Sequence, residues 1–373
     1  MRIVHVYKDY FPVVGGIENH VRLLAEGQAR AGHEVTVLVT NPSLRSERLV
    51  LNGVEVVKAG RLAKVASTPL SLRLGCELMR RRADVAHVHA PYPPGELLQH
   101  LLGTSRATVL TYHSDVVRQV RLARLYRPLG QRMLRGVDRI LVSSPAALGW
   151  DSLREHRQRC VVVPLGIPLE RFATADADAV VRVRAIAGGM PLLLFVGVFR
   201  YYKGLQYLLE AMRQVRAALL LVGGGPLEGE LRRQAEALGV GERVIFAGRV
   251  SDDDLPAYYH GADLFVLPSC ERSEAFGLSQ VEAMAAGLPV VGTELGTGTT
   301  FVNRHGETGL VVPPKDAQAL ADAINRLLGD EELRRRLADG ARERAQAFAV
   351  GRMLADVERV YVDALAHREI TEA

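Results

Sequence analysis

Residues 268–291, which read PSCERSEAFGLSQVEAMAAGLPVV, combine carboxylates and glycines in an order that suits a phosphorylated sugar. The apolar run before them predicts a strand, and Phe276 and Gly277 lead into a predicted helix that carries Glu282. Glu274 lies in the loop between strand and helix, so both carboxylates can face one ligand. Backbone N–H groups near Gly277 would meet phosphate oxygens, while the carboxylates would accept hydrogen bonds from sugar and ribose hydroxyls.

A second pair of charged residues is typical of a phosphate site. The segment GVFRYYKG at 197–204 follows a predicted strand and carries Arg200 and Lys203, three positions apart. At a strand-to-helix junction, two cations and the N–H groups of the helix would converge on one ligand, which suits a diphosphate. The alternative is that both are solvated charges on a loop.

Two glycines and a histidine in the first half of the chain also follow predicted strands. Gly15 and Gly16 precede a predicted helix, where the absence of a side chain lets a ligand approach the backbone. His113, in TYHSD, stands where a later strand ends, beside the expected ligand site. A purely structural role is the alternative for each of these residues.

Metal chemistry is not expected from the sequence. His87 and His89 alternate along a predicted buried strand and are interpreted as structural, and no histidine pair has metal-ligand spacing with a nearby carboxylate. Asp252 and Asp254 resemble a metal-binding pair, but Ser251 three residues before Asp254 indicates a helix cap. We therefore predict that the protein has no metal site.

The elements that must position these residues form two series of alternating strands and helices. Short apolar runs such as RIVHVY and PLLLFVG alternate with amphipathic helical patterns, which predicts parallel sheets covered by helices on both faces. The fold class is therefore α/β, with two doubly wound Rossmann-like domains that face a central cleft. We assign residues 1–165 to the first domain and 170–350 to the second. The segment 164–179, rich in Pro, Gly and Ala, is interpreted as the interdomain linker.

Composition is consistent with a two-domain protein of the cytoplasm. At roughly 100–200 residues per domain, 373 residues suggest two domains, and the three cysteines are too few and too dispersed for a disulfide scaffold. No signal peptide and no membrane-spanning segment is predicted. Residues 1–165 hold 24 Lys and Arg against 13 Asp and Glu, whereas the remainder is acidic, so the first domain is expected to meet an anionic partner.

At residues 268–291 the sequence resembles the retaining glycosyltransferases of GT-B fold in family four. The family pattern P-S-x-x-E-x-F-G-x-x-x-x-E-A-M-A-x-G-x-P-V-V fits once two extra residues are allowed before Glu274, and its two glutamates match Glu274 and Glu282. The likeness extends over nearly the whole chain. The P-x-x-G-G motif of the family matches 12–16, its strand-end histidine matches His113, and its P-x-G-[IV]-x-x-x-x-F motif matches 164–172.

The resemblance implies roles for these residues and for the last helix. Glu274 would hold hydroxyls of the donor sugar, Glu282 would hold the ribose, and Arg200 and Lys203 would neutralise the diphosphate. The residues assigned to catalysis are His113, Glu274, Arg200 and Lys203. Those assigned to the donor are Gly16, Arg200, Lys203, Glu274, Phe276, Gly277, Leu278 and Glu282. Those assigned to the acceptor side are Gly15, Gly16 and His113. Residues 351–373 would form a helix that packs back towards the first domain.

Two departures from the family pattern bear on the donor. The usual Arg directly after Gly is replaced by Val198, so Arg200 would substitute for it. The usual Gly-Gly loop is replaced by ELGTGTTFVNRHGETG at 294–309, a variant that resembles bacterial mannosyltransferases of surface-polysaccharide synthesis. The resemblance therefore favours GDP-mannose as the donor, with a UDP-sugar as the alternative. The nucleotide sugar is a co-substrate, and no cofactor is expected.

The acceptor is expected to be a glycan or a lipid-linked molecule, which points to the membrane. Residues 116–139 form a basic amphipathic stretch with seven arginines, which suits an anionic membrane surface, and Pro128 is expected to split it into two helices. The predicted location is the cytoplasm, peripherally on the inner face of the membrane. Ordinary core packing under a solvated Arg face is the alternative for this stretch.

Two other classes of protein remain open from the sequence. A same-fold sugar-nucleotide epimerase or phosphorylase would share the architecture, although no lysine for pyridoxal phosphate can be identified. A basic protein that binds nucleic acid or membranes without transferase activity would explain the charge of the first domain. Nucleic acid is not expected as a partner, because no binding motif is present and the basic helices lack interleaved aromatic residues.

Overall fold

The computed structural model of the chain describes residues 1–13, 15–65, 68–114 and 120–372, without the side chains of 120–126, 371 and 372. The chain divides into two compact units. Met1–Gly166 together with Val350–Ala373 forms the first, called here the N-terminal domain. Ile167–Ala349 forms the second, the C-terminal domain.

The N-terminal domain is built on an eight-stranded sheet and a small hairpin. Its strands are β1 (Arg2–Val6), β2 (Glu34–Asn41), β3 (Glu47–Leu51), β4 (Val54–Gly60), β5 (Ala63–Val65), β6 (Thr68–Leu70), β7 (Val85–Ala90), β8 (Ala107–Tyr112), β9 (Arg139–Val142) and β10 (Cys160–Val162). The sheet order is β10-β9-β8-β7-β1-β2-β4-β3, while β5 and β6 pair separately. All neighbours in the large sheet are parallel except β3 and β4.

Among the described residues, four α-helices connect these strands. They are α1 (Gly16–Arg30), α2 (Leu72–Arg80), α3 (Pro93–Leu102) and α4 (Val120–Arg135). The expectation that Pro128 splits the last of them is wrong, because α4 continues through this residue. Loss of one backbone hydrogen bond at a proline is offset where the following turn is anchored, and Met133 and Leu134 are buried.

The C-terminal domain repeats the doubly wound plan with a purely parallel sheet. Its strands are β11 (Leu192–Val198), β12 (Ala218–Gly224), β13 (Val244–Gly248), β14 (Leu264–Leu267), β15 (Val290–Thr293) and β16 (Gly309–Val312), in the order β13-β12-β11-β14-β15-β16. The runs LLLF of β11 and LFVL of β14 are buried throughout, as expected for strands covered on both faces.

The helices of this domain run from α5 to α13. They are α5 (Glu170–Ala173), α6 (Ala177–Ala185), α7 (Leu205–Ala211), α8 (Glu228–Ala237), α9 (Leu255–Gly261), α10 (Leu278–Ala285), α11 (Thr299–Val302), α12 (Ala317–Gly329) and α13 (Glu331–Ala345). The segment 164–179 is therefore more ordered than a linker. Phe172 of α5 is buried, and the Asp176 carboxylate caps α6 by accepting from the Ala179 N–H at 2.8 Å.

The last helix, α14 (Val350–Glu372), belongs to the N-terminal domain. Met353, Val357 and Tyr361 pack with Ile3 and Val85 into the core on one face of the large sheet. The prediction of two Rossmann-like domains with parallel sheets is confirmed. No helix among the described residues is both long and apolar enough to span a bilayer.

Candidate active site

The donor residues predicted in the C-terminal domain follow two neighbouring strands of its sheet. Arg200 and Lys203 follow β11, and Glu274 follows β14. Since β12 and β14 lie on opposite sides of β11, the chain changes direction between β11 and β14. Ligands of doubly wound sheets bind at such a switch point, beyond the carboxyl ends of the strands.

The switch point holds a buried ion pair. Lys203 Nζ lies 2.5 Å from Glu274 Oε2, and both residues are at least nine-tenths buried. The Ser269 hydroxyl donates to the same carboxylate oxygen at 3.0 Å. Burial lowers the pKa of Lys203, but Glu274, Tyr202 and Glu282 together raise it by more, so the ammonium remains charged.

Glu274 lies in the loop between β14 and α10, as the sequence predicts. Its backbone is held by the loop at 294–309, which the sequence marked as a departure from the family. The buried Thr297 hydroxyl donates to the Glu274 carbonyl at 2.8 Å, and the Gly298 N–H donates to the Ala275 carbonyl at 2.8 Å. The variant loop therefore fixes the position of the predicted sugar-binding carboxylate.

Glu282 lies on α10 and is held by a tyrosine that the sequence analysis did not single out. The buried Tyr259 hydroxyl, from α9, donates to Glu282 Oε2 at 2.6 Å. Burial raises the pKa of the Glu282 carboxyl to about 7, although this hydrogen bond and the Arg171 guanidinium lower it. Tyr259 lies in LPAYYHG, where nothing in the pattern indicates a site residue.

The start of α10 has the geometry expected of a phosphate-binding turn. Gly277 has a φ of 77° and precedes the first helical residue, Leu278. A Cβ at Gly277 would lie 2.8 Å from Leu267 Cδ2, so only glycine fits here without displacement. Phe276 is buried against Phe348, and the Gln280 amide donates to the Phe276 carbonyl at 2.8 Å.

Arg200 contrasts with Lys203. Its side chain is exposed, and among the residues that the structure describes none forms an ion pair or hydrogen bond with its guanidinium. Val198, at the position of the usual family arginine, is 37% exposed at the end of β11. Arg200 is thus available to a ligand, whereas Lys203 is already engaged by Glu274.

The acceptor-side glycines begin α1 in the N-terminal domain. Gly15 has an extended backbone, and a Cβ there would lie 2.1 Å from Glu18 Oε2. A Cβ at Gly16 would meet nothing within 4 Å. Gly15 provides no side-chain cap for α1, and the Glu18 carboxylate of the first turn lies beside it.

His113 follows β8 and belongs to a group of histidines that the sequence pattern did not connect. The group consists of His5 on β1, His20 on α1, His87 and His89 on β7, and His113. All are buried, and burial lowers the pKa of His5 to about 4 and that of His113 to about 3. The imidazoles are therefore neutral at pH 7.

The histidines also bear on the prediction against a metal. Two sets of three, His5 with His87 and His89, and His20 with His89 and His113, bring ring nitrogens within 4.8 Å of one another. Sequence spacing missed them because they come from several elements. The absence of a metal thus stays a prediction.

Ser251 and Asp254 lie at the start of α9, as predicted, whereas Asp252 faces Arg171. The Ser251 hydroxyl accepts from the Asp254 N–H at 3.1 Å and donates to its carboxylate at 2.6 Å. Asp252 lies 3.7 Å from Arg171.

Comparisons with known proteins agree with this geometry. Residues 14–171 match the family described as Glycosyltransferase Family 4, and residues 176–344 match Glycosyl transferases group 1. A solved sucrose-phosphate synthase from Thermosynechococcus elongatus superposes with a TM-score of 0.81 at 26% identity, covering 98% of this chain and 99% of the other. The fold and the site therefore define a glycosyltransferase of GT-B type.

Two curated relatives are similar to this chain over most of its length. The chain is 36% identical over 370 residues to the O-antigen chain mannosyltransferase C of Escherichia coli, covering 98% of this chain and 99% of the relative. It is 39% identical over 328 residues to the D-rhamnosyltransferase WbpZ of Pseudomonas aeruginosa, covering 87% and 86%. The chain belongs to the family-4 glycosyltransferases and is similar to mannosyltransferases of polysaccharide synthesis. The alternative of a binding protein without transferase activity is set aside.

Proposed function

We propose that this glycosyltransferase moves a hexose from a nucleotide-diphosphate sugar to a glycan or lipid-linked acceptor, with retention of anomeric configuration. The observation that carries the proposal is the buried Lys203–Glu274 pair at the switch point. GDP-mannose is the favoured donor, because a mannosyltransferase and a D-rhamnosyltransferase are among the relatives. A UDP-sugar is the alternative.

Each part of the donor has a matching group. Both contacts to Glu274 are made by Oε2, so Oε1 takes a hydroxyl of the sugar. Glu282, held by Tyr259, accepts from the ribose. Arg200 and the open turn at Gly277 meet the diphosphate, whose negative charge they offset.

The reaction needs stabilisation of the leaving group more than it needs a nucleophile from the protein. The bond between the anomeric carbon and the diphosphate oxygen breaks, and its electron pair stays on the diphosphate, whose charge Arg200 and Lys203 offset. The acceptor hydroxyl attacks from the face that the diphosphate leaves. Its proton passes to the departing oxygen, which accounts for retention without a covalent intermediate.

Paired substitutions in the loop before α10 test the proposal. Glu274→Gln keeps an acceptor for Ser269 but removes the charge, and we expect kcat/KM to fall by about tenfold to a hundredfold, the value of one charge-assisted hydrogen bond. Glu271→Gln is the control, because Glu271 lies on the same loop and pairs at the surface with Lys315. The assay compares GDP-mannose, UDP-glucose and UDP-galactose, with the product anomer read by NMR. Equal activity in the two variants, or an inverted product, would contradict the proposal.

Metal independence of turnover belongs to the same proposal. Cationic side chains and helix N–H groups can stabilise a diphosphate, while Asp254 is bonded to Ser251 at a helix start and Asp252 is paired with Arg171. Turnover should therefore survive excess EDTA. Activity that is lost with the chelator and restored by Mg²⁺ or Mn²⁺ would overturn this part.

Attachment to the inner face of the membrane would bring a lipid-linked acceptor within reach. Of the arginine-rich stretch 116–139, residues 116–119 lie outside the described part of the chain and the side chains of 120–126 are not described. Another surface of the N-terminal domain is described and fits this role. It combines exposed apolar residues with basic ones, namely Leu44, Leu62, Val65, Leu70 and Leu72 with Arg45, Lys64 and Arg73.

Hydrogen bonds join the three segments that carry these residues. The Leu62 N–H donates to the Leu70 carbonyl at 2.8 Å, and the Ser71 hydroxyl donates to the Gly60 carbonyl at 2.7 Å. The Arg73 guanidinium donates to the Ser46 hydroxyl at 3.5 Å, next to Arg45. Exposed leucines would enter the headgroup region while arginines and lysine meet anionic lipids. This surface, here the apolar-basic surface, is the proposed membrane contact.

Vesicle sedimentation tests the apolar-basic surface. Leu62→Ser with Leu72→Ser should weaken binding to anionic vesicles by at least about tenfold, because two leucines lose their lipid contact. Val181→Ser is the control, since Val181 is 66% exposed in the C-terminal domain, compared with 61% for Leu62. Equal binding to neutral and anionic vesicles would reject the proposal.

A further inference from the structure

A continuous chain of hydrogen bonds runs through the core of the N-terminal domain to His113. It begins at His113 Nε2, which lies 3.3 Å from His89 Nδ1, and continues from His89 Nε2 to His5 Nδ1 at 3.0 Å. His5 Nε2 then lies 2.7 Å from Gln28 Oε1. The chain therefore connects the end of β8 with a buried amide on α1.

A second series of hydrogen bonds, here the second arm, begins at the nitrogen of the same amide; the series from His113 to Gln28 is the first arm. Gln28 Nε2 donates to the Tyr361 hydroxyl of α14 at 3.2 Å, and that hydroxyl lies 2.6 Å from His87 Nδ1. His87 Nε2 lies 2.6 Å from the Thr111 hydroxyl. Gln28 and Tyr361 are 5% and 0% exposed, so water does not compete for these bonds.

The amide sets the direction of the first arm. A neutral imidazole carries one N–H and one bare nitrogen, so it donates at one end and accepts at the other. Because Gln28 Oε1 can only accept, His5 must donate from Nε2 and accept at Nδ1. His89 must then donate from Nε2 and accept at Nδ1, so His113 donates from Nε2.

The second arm agrees with the same amide orientation. Gln28 Nε2 can only donate, so the Tyr361 hydroxyl accepts from it and donates to His87 Nδ1. His87 then donates from Nε2 to the Thr111 hydroxyl. Each contact in the two arms then joins one donor to one acceptor, as a buried polar network requires. Burial keeps each imidazole neutral, since it lowers the pKa of His5, His87, His89 and His113.

We propose that Gln28 and Tyr361 are positioning residues that fix the tautomer of His113, with the proton on Nε2 and a bare Nδ1. In this state His113 accepts a hydrogen bond from a substrate hydroxyl through Nδ1 and cannot donate one there. The inference rests on the proposed function for its consequence, since the substrate is the sugar or the acceptor. The tautomer itself is a property of the protein without substrate.

The opposite orientation of the Gln28 amide gives a competing state, which makes the proposal testable. If the amide oxygen and nitrogen exchanged places, the donor and acceptor of each hydrogen bond would exchange too, and the His113 proton would lie on Nδ1. A metal ion is the other competitor, since His20 is 4% exposed and neither of its ring nitrogens has a hydrogen-bond partner among the described residues. A metal held with His89 and His113 would replace the protons of the chain.

NMR of protein labelled with ¹⁵N-histidine, without substrate, reads the tautomer directly. A protonated ring nitrogen resonates well upfield of a bare one, and Nε2 couples to both ring carbon protons. The His113 signals are assigned by their loss in His113→Asn. We expect Nε2–H in the wild type and a mixture of both tautomers in Gln28→Leu. A wild-type His113 protonated at Nδ1, or an unchanged tautomer in Gln28→Leu, would overturn the proposal.

Gln99→Leu is the matched control. Gln99 is 6% exposed, lies on α3 of the same domain, and donates to Ser105 and Thr108 outside the chain. It should disturb packing as much as Gln28→Leu while leaving the His113 tautomer as in the wild type. A mixed tautomer in Gln99→Leu as well would show that any loss of core packing suffices, and would overturn the role of Gln28.

Turnover gives a second readout with another matched pair. Tyr361→Phe removes the acceptor that fixes the orientation of the Gln28 amide, so both tautomers of His113 become populated. We expect kcat to fall by about tenfold, the effect of losing one hydrogen bond to the substrate, and KM for the donor to stay unchanged. Tyr10→Phe is the control, because the buried Tyr10 hydroxyl has no partner among the described residues. Equal kcat in the two variants would contradict the proposal. So would one equivalent of zinc, measured by mass spectrometry, in the purified protein.

Discussion

The ammonium of Lys203 and the carboxylate of Glu274 lie 2.5 Å apart, although the two residues follow different strands and are 71 positions apart in the chain. Each is nearly inaccessible to solvent. A buried charge without a partner costs free energy of folding. Each of the two charges therefore stabilises the other, whether or not a ligand is bound. The pair therefore couples the stability of the C-terminal domain to the donor site.

A double-mutant cycle should detect this coupling. Lys203→Met and Glu274→Leu should each cost about 3–5 kcal/mol in the free energy of unfolding, because each leaves one buried charge unpaired. The double variant should cost less than the sum by at least about 1 kcal/mol. Urea denaturation measures all four proteins. The control cycle uses Lys315 and Glu271, a pair at 2.7 Å whose side chains are 49% and 37% exposed, and should give less than about 1 kcal/mol.

Gly204, directly after Lys203, should be far less tolerant of alanine than a glycine of the same backbone conformation. It has a φ of 67°, and a Cβ would lie 1.9 Å from the Pro268 carbonyl oxygen. Gly239 has a φ of 69° but open space around its Cβ position. Gly239→Ala should cost about 1 kcal/mol for the left-handed conformation, and Gly204→Ala about 2–4 kcal/mol. Equal losses in denaturation experiments would show that the backbone can shift away from Pro268.

Glu282 should make the protein less stable as the pH rises. Its pKa is raised from 4.5 to about 7 in the folded state, so the folded protein binds the proton more tightly than the unfolded chain. That contribution is complete below pH 4.5 and is lost as the pH rises through about 7. Glu282→Gln, which still accepts from Tyr259, should remove about 1–3 kcal/mol of this pH dependence, since partial exposure reduces the full effect.

The measurement is the change in unfolding free energy between pH 5 and pH 8, compared between the wild type and Glu282→Gln. Glu230→Gln, at an exposed position on α8, is the control and should follow the wild type. Parallel pH profiles of the wild type and Glu282→Gln would refute the conclusion that folding raises the pKa of Glu282.

The variant loop should act on the donor site through a single hydroxyl. Thr297→Val keeps the shape of a side chain that is 1% exposed but removes the bond to the Glu274 carbonyl, at a cost of about 1–2 kcal/mol. The Glu274 loop should then loosen and KM for the donor should rise. Thr300→Val is the control, because its hydroxyl makes only a 3.4 Å contact with Glu294. An unchanged KM in Thr297→Val would separate the loop from donor binding.

Local sequence pattern was enough to predict the architecture. Runs such as LLLF and LFVL are apolar at every position, and only strands covered on both faces bury such runs completely. The motif at 268–291 likewise indicated a ligand site, because carboxylates and a glycine after a buried strand have few structural uses. Short edge elements such as β3 and β5 were missed, since their residues alternate weakly and lie at the surface.

Tertiary structure alone decided which of these residues touch. Glu274 was predicted only as a ligand-binding residue, but it is also paired with Lys203, because β11 and β14 are neighbours in a sheet whose order the local pattern does not specify. The roles of Tyr259, Thr297 and Gln28 could not be predicted from the sequence, because they depend on hydrogen bonds to partners more than twenty residues away. The periodicity of apolar residues indicates which face of a helix or strand is buried. Which polar groups pair with one another depends on how the helices and strands are arranged in space, which periodicity does not specify.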